Sequence, residues 1–323
     1  MFISILIPIF NVETYIERCA RSLFEQTYRD IEYIFVDDCT PDNSIEILKN
    51  VIQEYPHRKE HIKVIKHEKN RGLAAARNTA IENCSGDFVM HVDSDDYLEN
   101  KAVELLVNKQ LESNAEIVSG CAIRETIEGF SILSEPDYKD KEEMLLQCIR
   151  PNLDHVIWRR IIRCSLYKDY NIKCVEGINV GEDLQVLPQL VYYAKKVAKI
   201  DDVVYHYNCQ NEGSYMSQKK KQFRRHIAEQ DLRSVEIVEN FLKGKGFQYE
   251  DAILKTKAIL LESYLPAAYE AGDWKAYNKL ANKLLAIDRR VLVSIGWDKF
   301  KVRLVNRNYV NRRLFDFVDS IFY

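Results

Sequence analysis

The chain has 323 residues, of which 46% are hydrophobic and 29% are charged, and its formal net charge at pH 7 is −3. This length is sufficient for one large domain or two modest ones, and the composition is that of an ordinary soluble globular protein. The nearly balanced charge gives no reason to expect nucleic acid as a partner.

The sequence contains none of the patterns typical of a membrane-spanning segment, a signal peptide or paired cysteines. No apolar run reaches the roughly 18 to 20 residues of a membrane-spanning helix, and residues 1–8 lack the basic segment and cleavage site of a signal peptide. The eight cysteines are scattered, with no Cys-x-x-Cys pair or zinc-like spacing. We therefore expect a cytoplasmic protein whose reduced cysteines mostly fill the core.

The first 121 residues alternate short apolar runs with helical patterns. Predicted strands cover residues 2–10, 31–36, 62–65, 88–92 and 116–121. Predicted helices between them cover about 15–28, 44–52, 73–81 and 100–114. This alternation predicts βαβ units with right-handed crossovers and a mostly parallel sheet.

Carboxylates follow two of these predicted strands. The apolar run 88–92 leads directly into Asp93, Asp95 and Asp96, and the strand 31–36 is followed by Asp37 and Asp38. The carboxyl ends of parallel strands share one edge of a sheet, where open α/β folds bind ligands. Three acids so close together repel one another unless a cation or hydrogen bonds compensate them. Mg²⁺ is often shared between one or two carboxylates and substrate phosphates.

Simpler interpretations of these acids stay open. The turn around Asp96 could cap the helix that begins near residue 100, and Asp38 could cap the turn after its strand. The first strand-to-helix turn, residues 8–13, contains no glycine, so its backbone cannot approach a pyrophosphate as dinucleotide folds do. A metal on the acidic cluster is then the obvious means of neutralising a diphosphate.

Beyond residue 121 the pattern loosens into a loop or short hairpin over 124–141 and a helix over 141–149. Glu182 and Asp183 precede a predicted helix over 184–194. A carboxylate in a first helical turn stays ionised, which suits a general base when it is partly desolvated, but acids are also favoured there for helix stability alone. His206 lies in a strand-like run and is either a packed residue or a metal ligand.

The composition changes near residue 217, where helical patterns begin. Residues 289–313 contain eight basic residues and one acid, interleaved with apolar side chains. This pattern predicts either an interfacial helix on anionic lipid or an ordinary packed tail with a solvated basic face. The predicted domains are 1–216, with halves of about 1–121 and 122–216, and a helical region over 217–323.

Five motifs occur in a fixed order over roughly residues 3 to 215. They are ILIPIFN at 5–11, VDDCTPDNS at 36–44, NRGLAAARN at 70–78, DSDD at 93–96 and GED at 181–183. Together they closely resemble the inverting family 2 glycosyltransferases of GT-A fold, which use nucleotide-diphosphate sugars. The resemblance implies an α/β fold with a Rossmann-like, mostly parallel sheet flanked by helices, followed by a mainly helical C-terminal region.

The resemblance also implies roles for individual residues. Asp183 corresponds to the catalytic base, with Glu182 beside it for the acceptor. Asp95 would ligate Mg²⁺ or Mn²⁺, with Asp93 and His206 as candidate additional ligands. The implied nucleotide-binding residues are Pro8, Phe10, Glu13, Asp38, Asn70, Arg77, Asp93 and Ser94. In this set Asp38 would accept a hydrogen bond from the base, and Asp93 would hold the ribose or help with the metal.

One departure from the family pattern concerns Cys39, which stands where the family commonly has glycine. It removes some backbone freedom but no carboxylate. Asp96 is left between support of the metal site and the helix cap.

The expected activity is metal-dependent, inverting transfer of a sugar from a nucleotide-diphosphate donor to an acceptor hydroxyl. A UDP-sugar is the leading donor, and the acceptor is a glycan or lipid-linked molecule in bacterial surface polysaccharide synthesis. The expected location is cytoplasmic, with peripheral contact to the inner face of the membrane through 289–313 as an open alternative. A nucleotidyltransferase of related fold would need a glycine-rich, basic first loop, which is absent here. A non-catalytic sugar-nucleotide-binding or scaffold protein would not need every one of the carboxylates.

Overall fold

The structure is a computed structural model that describes residues 1–150, 156–211, 225–287 and 291–292. These residues form two compact units, which we describe separately. The first contains residues 1–148 and 156–211, and the second contains residues 149–150, 225–287 and 291–292. All the predicted site residues lie in the first unit.

The described residues of the first unit form a nine-stranded mixed sheet. The strands are β1 (Ile3–Ile9), β2 (Ile31–Asp37), β3 (Ile62–Lys66), β4 (Phe88–His91), β5 (Tyr97–Leu98), β6 (Ile117–Thr126), β7 (Gly129–Leu133), β8 (Arg160–Arg163) and β9 (Val197–Asn208). β1, β2 and β4 are buried along their whole length, as expected for strands covered on both faces.

The order of the strands is β3-β2-β1-β4-β8-β6-β9-β5, and β7 pairs with β6 beside this path. β1 lies between β2 and β4 and is parallel to both, and β3 is parallel to β2. β8 is antiparallel to β4 and β6, whereas β9 runs parallel to β6 across a register shift. β1, β2, β3 and β4 therefore form a parallel group, as predicted. β5 and β6 form antiparallel pairs with β9 and β8, and β6 also forms a hairpin with β7.

The helices of the first unit connect these strands and cover the sheet. They are α1 (Ile16–Phe24), α2 (Ser44–Glu54), α3 (Leu73–Asn83), α4 (Ala102–Ser113), α5 (Lys141–Ile149, with its last residue in the second unit), α6 (Cys164–Asp169) and α7 (Glu182–Tyr193). A short 3-10 helix, Lys59–His61, precedes β3. In the core, the β1 and β2 side chains pack against Leu23, Phe24 and Leu106 from α1 and α4.

The second unit contains three long helices, α8 (Arg225–Leu242), α9 (Phe247–Glu270) and α10 (Trp274–Leu285). Each buries one stripe, and Leu232, Leu265 and Leu280 belong to a shared apolar cluster. Asp273 caps α10 by accepting from the backbone N–H of Ala276 at 3.0 Å. The predicted basic segment 289–313 lies outside the described residues except for positions 291 and 292. Among the helices that the structure describes, none is long and apolar enough to cross a membrane.

Candidate active site

The carboxyl ends of β1, β2 and β4 meet at one edge of the sheet. Ile9 at the end of β1 is in register with Asp37 at the end of β2, and β4 on the other side of β1 leads into Asp93. Three acidic segments therefore gather near this edge, from β2, from the turn after β4 and from the start of α7. The parallel β1, β2 and β4 strands explain why the first two lie together.

Asp96 supports the acidic turn and does not cap a helix. α4 begins at Ala102, and its N-cap residue makes no side-chain capping bond. The Asp96 carboxylate instead accepts from the Tyr205 hydroxyl at 2.7 Å and from the Asn208 backbone N–H at 2.8 Å. Burial, followed by the charges of Asp95 and Asp93, raises its pKa well above the usual range. The helix-cap interpretation of this turn is therefore wrong.

Asp93 and Asp95 lie on the solvent side of this turn. Asp95 Oδ2 accepts from Asn211 Nδ2 at 2.8 Å, and burial raises the pKa of Asp95. Burial and the charges of Asp95 and Asp183 raise the pKa of Asp93 to about 6, although Arg77 opposes them. Carboxylates whose pKa values are raised by burial and by neighbouring charges are held close together at a free-energy cost. A bound cation would offset this cost.

Arg77 joins the acidic segments. Its buried guanidinium donates from Nη2 to Asp93 Oδ1 at 3.0 Å and from Nη1 to Asp183 Oδ1, and it lies 3.3 Å from Glu182 Oε1. Burial alone would lower the Arg77 pKa, but these three carboxylates raise it well above its ordinary value. The Arg77 guanidinium therefore links the turn after β4 to the start of α7.

Asp183 and Glu182, in the first turn of α7, both face the Arg77 guanidinium. Asp183 Oδ1 accepts from Arg77, and Asp183 Oδ2 accepts from the Ile157 backbone N–H at 3.1 Å. Burial and the charge of Asp183 raise the pKa of Glu182 to about 8, so Glu182 holds a proton at neutral pH. Helix stability alone does not explain these contacts, and the pair has the partial desolvation that a general base needs.

Asp38 fixes the loop that precedes α3. Its Oδ1 receives hydrogen bonds from His67 Nδ1 at 2.6 Å and from the Arg71 backbone N–H at 2.8 Å, and its Oδ2 receives one from Gly72 N–H at 2.7 Å. His67 Nε2 lies 2.9 Å from the Thr79 hydroxyl. The simpler role of capping the turn after β2 belongs to Asp37, whose Oδ1 accepts from the Thr40 N–H at 2.8 Å.

The loops after β1 and β2 form a second group of predicted nucleotide residues. Pro8 is buried within β1, whereas Phe10 is 46% exposed and presents a ring to solvent. Glu13 accepts from the Asn43 backbone N–H at 3.0 Å and so stabilises the start of α2. Cys39 has a φ of 57°, a left-handed conformation that glycine adopts with less strain, which explains the family's preference at this position.

The loop before α7 docks on α3 through two asparagines. Asn78 pairs with the backbone of Cys174 in both directions, at 2.8 and 2.9 Å. Asn179 Oδ1 accepts from the Ala74 N–H at 3.0 Å, near Gly72. α3 therefore positions the loop that precedes Glu182 and Asp183.

Three predicted residues have other surroundings. The ring nitrogens of His206 lie 2.8 Å from Glu99 Oε1 and 3.1 Å from Glu125 Oε1, and its ring stacks on Tyr97. Both nitrogens are thus engaged by these carboxylates, and a metal-ligand role for His206 stays a prediction. Asn70 is exposed on the loop before α3, and Ser94 is buried within the acidic turn.

The donor set suits a hard divalent cation. Asp93 and Asp95 each offer a carboxylate oxygen beyond the ones bound to Arg77 and Asn211. In the part of the chain that the structure describes, no group of three or more His, Cys, Asp or Glu side chains is placed to hold a metal. Two carboxylates completed by substrate phosphates are a usual arrangement for Mg²⁺.

Several residues of the site carry no recognisable signal in the sequence. His67 lies 29 positions from Asp38, which it contacts, and Tyr205 and Asn208 lie 109 and 112 positions from Asp96. Asn179 lies 105 positions from its partner Ala74. Only the pairing of β5 with β9 brings Tyr205 and Asn208 beside the acidic turn. Asn78 differs from these residues, because its place next to Arg77 in the 70–78 motif is a local indication that it belongs to the site.

The fold defines the class of protein. Crystal structures of Staphylococcus aureus TarS (residues 1–349) with UDP-GlcNAc match with a TM-score of 0.58 and 19% identity, covering 87% of this chain and 90% of that one. The mannosyltransferase PcManGT of Pyrobaculum calidifontis, in complex with GDP-Man and Mn²⁺, matches with a TM-score of 0.56 and 16% identity, covering 97% and 87%. The predicted GT-A fold is confirmed.

The family follows from the sequence comparison. The profile described as "Glycosyl transferase family 2" matches residues 4–170, slightly more than half of the chain. The chain therefore belongs to glycosyltransferase family 2, as the five motifs predicted.

Curated relatives agree with this assignment. The uncharacterized glycosyltransferase EpsJ of Bacillus subtilis is 33% identical over 216 residues, which are 64% of this chain and 60% of EpsJ. The poly(ribitol-phosphate) beta-glucosyltransferase of Bacillus spizizenii is 32% identical over 229 residues, 67% of this chain and 34% of that protein. The chain thus spans less than two thirds of the length of these relatives.

Proposed function

We propose that the protein is a metal-dependent inverting glycosyltransferase, which moves a sugar from a nucleotide-diphosphate donor to an acceptor hydroxyl. The observation that carries this proposal is the Arg77 cluster, in which one guanidinium holds Asp93 and Asp183 together. A donor group bound at the turn after β4 would thereby lie next to a buried carboxylate. That proximity is what transfer between a donor and an activated acceptor requires.

Asp183 is the proposed general base. Its two oxygens are oriented by Arg77 and by the Ile157 N–H, and each keeps a lone pair for an acceptor hydroxyl. The hydroxyl proton passes to Asp183 while the hydroxyl oxygen forms a bond with the anomeric carbon. The bond from that carbon to the diphosphate breaks on the opposite face, so the anomeric configuration inverts. Glu182, protonated beside it, can donate a hydrogen bond to the acceptor.

Asp95 and Asp93 are the residues that would hold Mg²⁺ or Mn²⁺. A bound divalent cation would neutralise the charge that develops on the leaving diphosphate. The lone pairs that these carboxylates keep for a cation and their raised pKa values support this assignment. Asp96, bonded to Tyr205 and Asn208, supports the turn from behind.

The remaining nucleotide contacts follow the predicted set. Phe10 has an exposed ring that a base could stack on, and Asp38 accepts from the Arg71 backbone N–H in the loop before α3, the helix that carries Arg77. The donor is proposed to be a UDP-sugar, as in the TarS complex, and the acceptor to be a glycan or lipid-linked molecule in bacterial surface polysaccharide synthesis. We place the reaction in the cytoplasm, with residues 289–313 as the candidate contact with the inner face of the membrane.

Replacement of the base tests this proposal. Asp183→Asn keeps an acceptor for Arg77 but removes the proton acceptor, so we expect kcat to fall by roughly 10²- to 10⁴-fold while the Kd of the donor changes little. Turnover of UDP-, GDP- and TDP-sugars with Mn²⁺ is measured beside donor binding by calorimetry.

Asp201→Asn is the control, because Asp201 is exposed and pairs with Lys199 away from the cluster. Equal loss of donor binding and turnover in Asp183→Asn would contradict the base assignment. Donor binding by the wild-type protein without turnover of any donor, across a range of glycan and lipid-linked acceptors, would favour the non-catalytic alternative.

A further inference from the structure

Two cysteines outside the candidate active site lie thiol to thiol. The Sγ atoms of Cys84 and Cys164 are 3.2 Å apart, although 80 positions separate these residues in the chain. This is closer than the ~3.5–4.0 Å of ordinary contact between carbon atoms. A disulfide bond measures about 2.04 Å, so the two sulfur atoms need to approach by only about 1 Å to form one.

Regular structure holds both cysteines in place. Cys84 is the C-cap residue of α3, and its backbone carbonyl accepts from Lys168 Nζ at 3.0 Å. Cys164 begins α6 directly after β8, and its backbone N–H donates to the Asp87 carbonyl at 2.9 Å. The approach of the two sulfur atoms is therefore set by a helix end and a strand end, not by a long side chain that could turn away.

We propose that Cys84 and Cys164 are a redox pair, which a small hydroperoxide converts reversibly into an intramolecular disulfide. Both residues are buried, with 5% and 3% of their surface exposed, so the oxidant has to be small. The sequence predicted reduced cysteines that mostly fill the core, and this pair would be an exception. It does not depend on the proposed transferase activity, because the chemistry is confined to the two sulfur atoms and the peroxide.

The environment distinguishes the two thiols. The hydrogen bond with Cys84, followed by the charge of Lys168, lowers the pKa of Cys164 to about 7 against the effect of burial. The same hydrogen bond and burial raise the pKa of Cys84. The proposal assigns the attack to Cys164, whose pKa is lowered, and the resolving step to Cys84.

The reaction balances in two steps. The Cys164 thiolate attacks one oxygen of hydrogen peroxide, the O–O bond breaks, and the products are the Cys164 sulfenic acid and, after protonation, water. Cys84 then attacks the Cys164 sulfur, the S–O bond breaks, and the released hydroxide takes the Cys84 proton to give a second water. The two thiols lose two electrons in total, and the peroxide gains them.

The disulfide would link two elements, α3 and β8, that support the candidate active site. α3 carries Arg77 and Asn78, and β8 pairs with β4, the strand that leads into Asp93. A covalent bond between Cys84 and Cys164 therefore ties the helix that holds the acids to the strand behind them. Closing an 80-residue loop in the unfolded chain should raise the Tm by roughly 5–10 °C.

Differential alkylation of the full-length protein tests the proposal. The protein is reduced, treated with hydrogen peroxide at low excess, alkylated under denaturing conditions and digested for mass spectrometry. We expect a peptide pair joined through Cys84 and Cys164, loss of two alkylation sites, and full recovery after dithiothreitol. The thermal midpoint of the oxidised sample should rise and should return to its first value on reduction.

Two variants and a control sharpen the result. In Cys84→Ser the linked peptides should vanish and Cys164 should be trapped as a sulfenic acid by dimedone. Cys121→Ser is the matched control, because that buried sulfur faces the Ile200 carbonyl at 3.9 Å, and it should leave the disulfide unchanged. Recovery of both cysteines as alkylated thiols after peroxide, or a linkage of either one to another cysteine, would overturn the proposal, and so would oxidation that dithiothreitol does not reverse.

Discussion

A single guanidinium decides the charge state of the candidate site. Arg77 is buried and faces three acidic side chains, those of Asp93, Glu182 and Asp183. Removing one partner of a buried ion pair destabilises the folded state far more than removing one partner of an exposed pair. The charge that remains in the interior has neither water nor a counter-ion. The stability of the region and its chemistry therefore rest on the same side chain.

Replacement of Arg77 should destabilise the protein strongly at neutral pH. We expect Arg77→Gln to lower the free energy of unfolding by about 3–5 kcal/mol at pH 7.5, because buried carboxylates lose their cation. This loss of stability should be smaller at pH 5.5, because Asp93, whose pKa is raised to about 6, takes up a proton there. Urea unfolding at both pH values measures it, and Arg71→Gln is the control, because Arg71 forms an exposed pair with Glu176 that is worth at most about 1 kcal/mol. An equal loss in the two variants would contradict this account.

Glu182 gives the ligand-free protein a defined pH dependence. Its pKa in the folded state is about 8, above the ordinary value of 4.5, because of burial and the charge of Asp183. Between these two values the unfolded chain releases the proton and the folded chain keeps it. The stability that Glu182 contributes is therefore fully present below pH 4.5 and is lost as the pH rises towards 8, by up to about 1.4 kcal/mol per pH unit.

Glu182→Gln should flatten this part of the pH profile. Because glutamine is neutral throughout, we expect the variant to lose less stability than the wild type between pH 5 and pH 8. Thermal midpoints in EDTA, without nucleotide, measure both profiles. Parallel profiles for the two proteins would show that Glu182 does not titrate in this window.

At the scale of elements, α3 organises the site because three of its features point to three different segments. Its N-terminal loop is held by Asp38, Arg77 binds the acids, and Asn78 binds the Cys174 backbone. Residues of the 70–78 motif therefore bind three segments that are far apart in the sequence and hold them together. This explains why the motif contains a glycine, an arginine and an asparagine at fixed spacing.

Gly72 and Gly177 provide a matched test of this loop docking. Both have positive φ, +87° and +82°, but a Cβ on Gly72 would lie 2.6 Å from Asn179 Oδ1, whereas a Cβ on Gly177 would meet nothing within 4 Å. We expect Gly177→Ala to cost about 1–2 kcal/mol from backbone strain alone. Gly72→Ala should cost about 1–3 kcal/mol more, because Asn179 has to move and because the Gly72 backbone (φ 87°, ψ 167°) lies in a region that essentially only glycine adopts. Urea unfolding compares the two, and similar losses would mean that the contact with Asn179 is unimportant.

The elements themselves were largely predictable, and their contacts were not. The apolar runs that became β1, β2 and β4 are short, rich in branched residues and bounded by turn residues, so local pattern was sufficient. The salt bridge between Arg77 and Asp183 spans 106 positions, and no local pattern encodes it. The same is true of His206, whose two carboxylate neighbours lie 81 and 107 positions away. The acids of the site could be predicted from the sequence. The residues that contact these acids could be identified only once the fold of the sheet was known.

At the scale of the whole molecule, the acidic turn should make the protein less stable than it could be. Asp95 raises the pKa values of Asp93 and Asp96, which is repulsion retained in the ligand-free state. Sites of function commonly keep such costs because the ligand relieves them. Asp95→Asn should therefore act in opposite directions on the free and on the ligand-bound protein.

We expect Asp95→Asn to raise the ligand-free stability by about 0.5–1 kcal/mol at pH 8, since one buried charge is removed. The gain should shrink towards pH 5, because Asp93, whose pKa is raised to about 6, takes up a proton there and no longer repels Asp95. With a UDP-sugar at about 100 times its Kd, Mn²⁺-dependent binding should stabilise the wild type by about 2.7 kcal/mol. The variant should lose the part of this shift that requires Mn²⁺.

Thermal shifts with and without Mn²⁺ and donor separate the two effects, and Asp201→Asn is again the exposed control. A variant that is more stable alone and less responsive to Mn²⁺ would agree with a carboxylate kept for its ligand. A variant that keeps the full Mn²⁺-dependent shift would remove Asp95 from the metal site. A variant that is less stable alone would show instead that the hydrogen bond from Asn211 outweighs the repulsion within the turn.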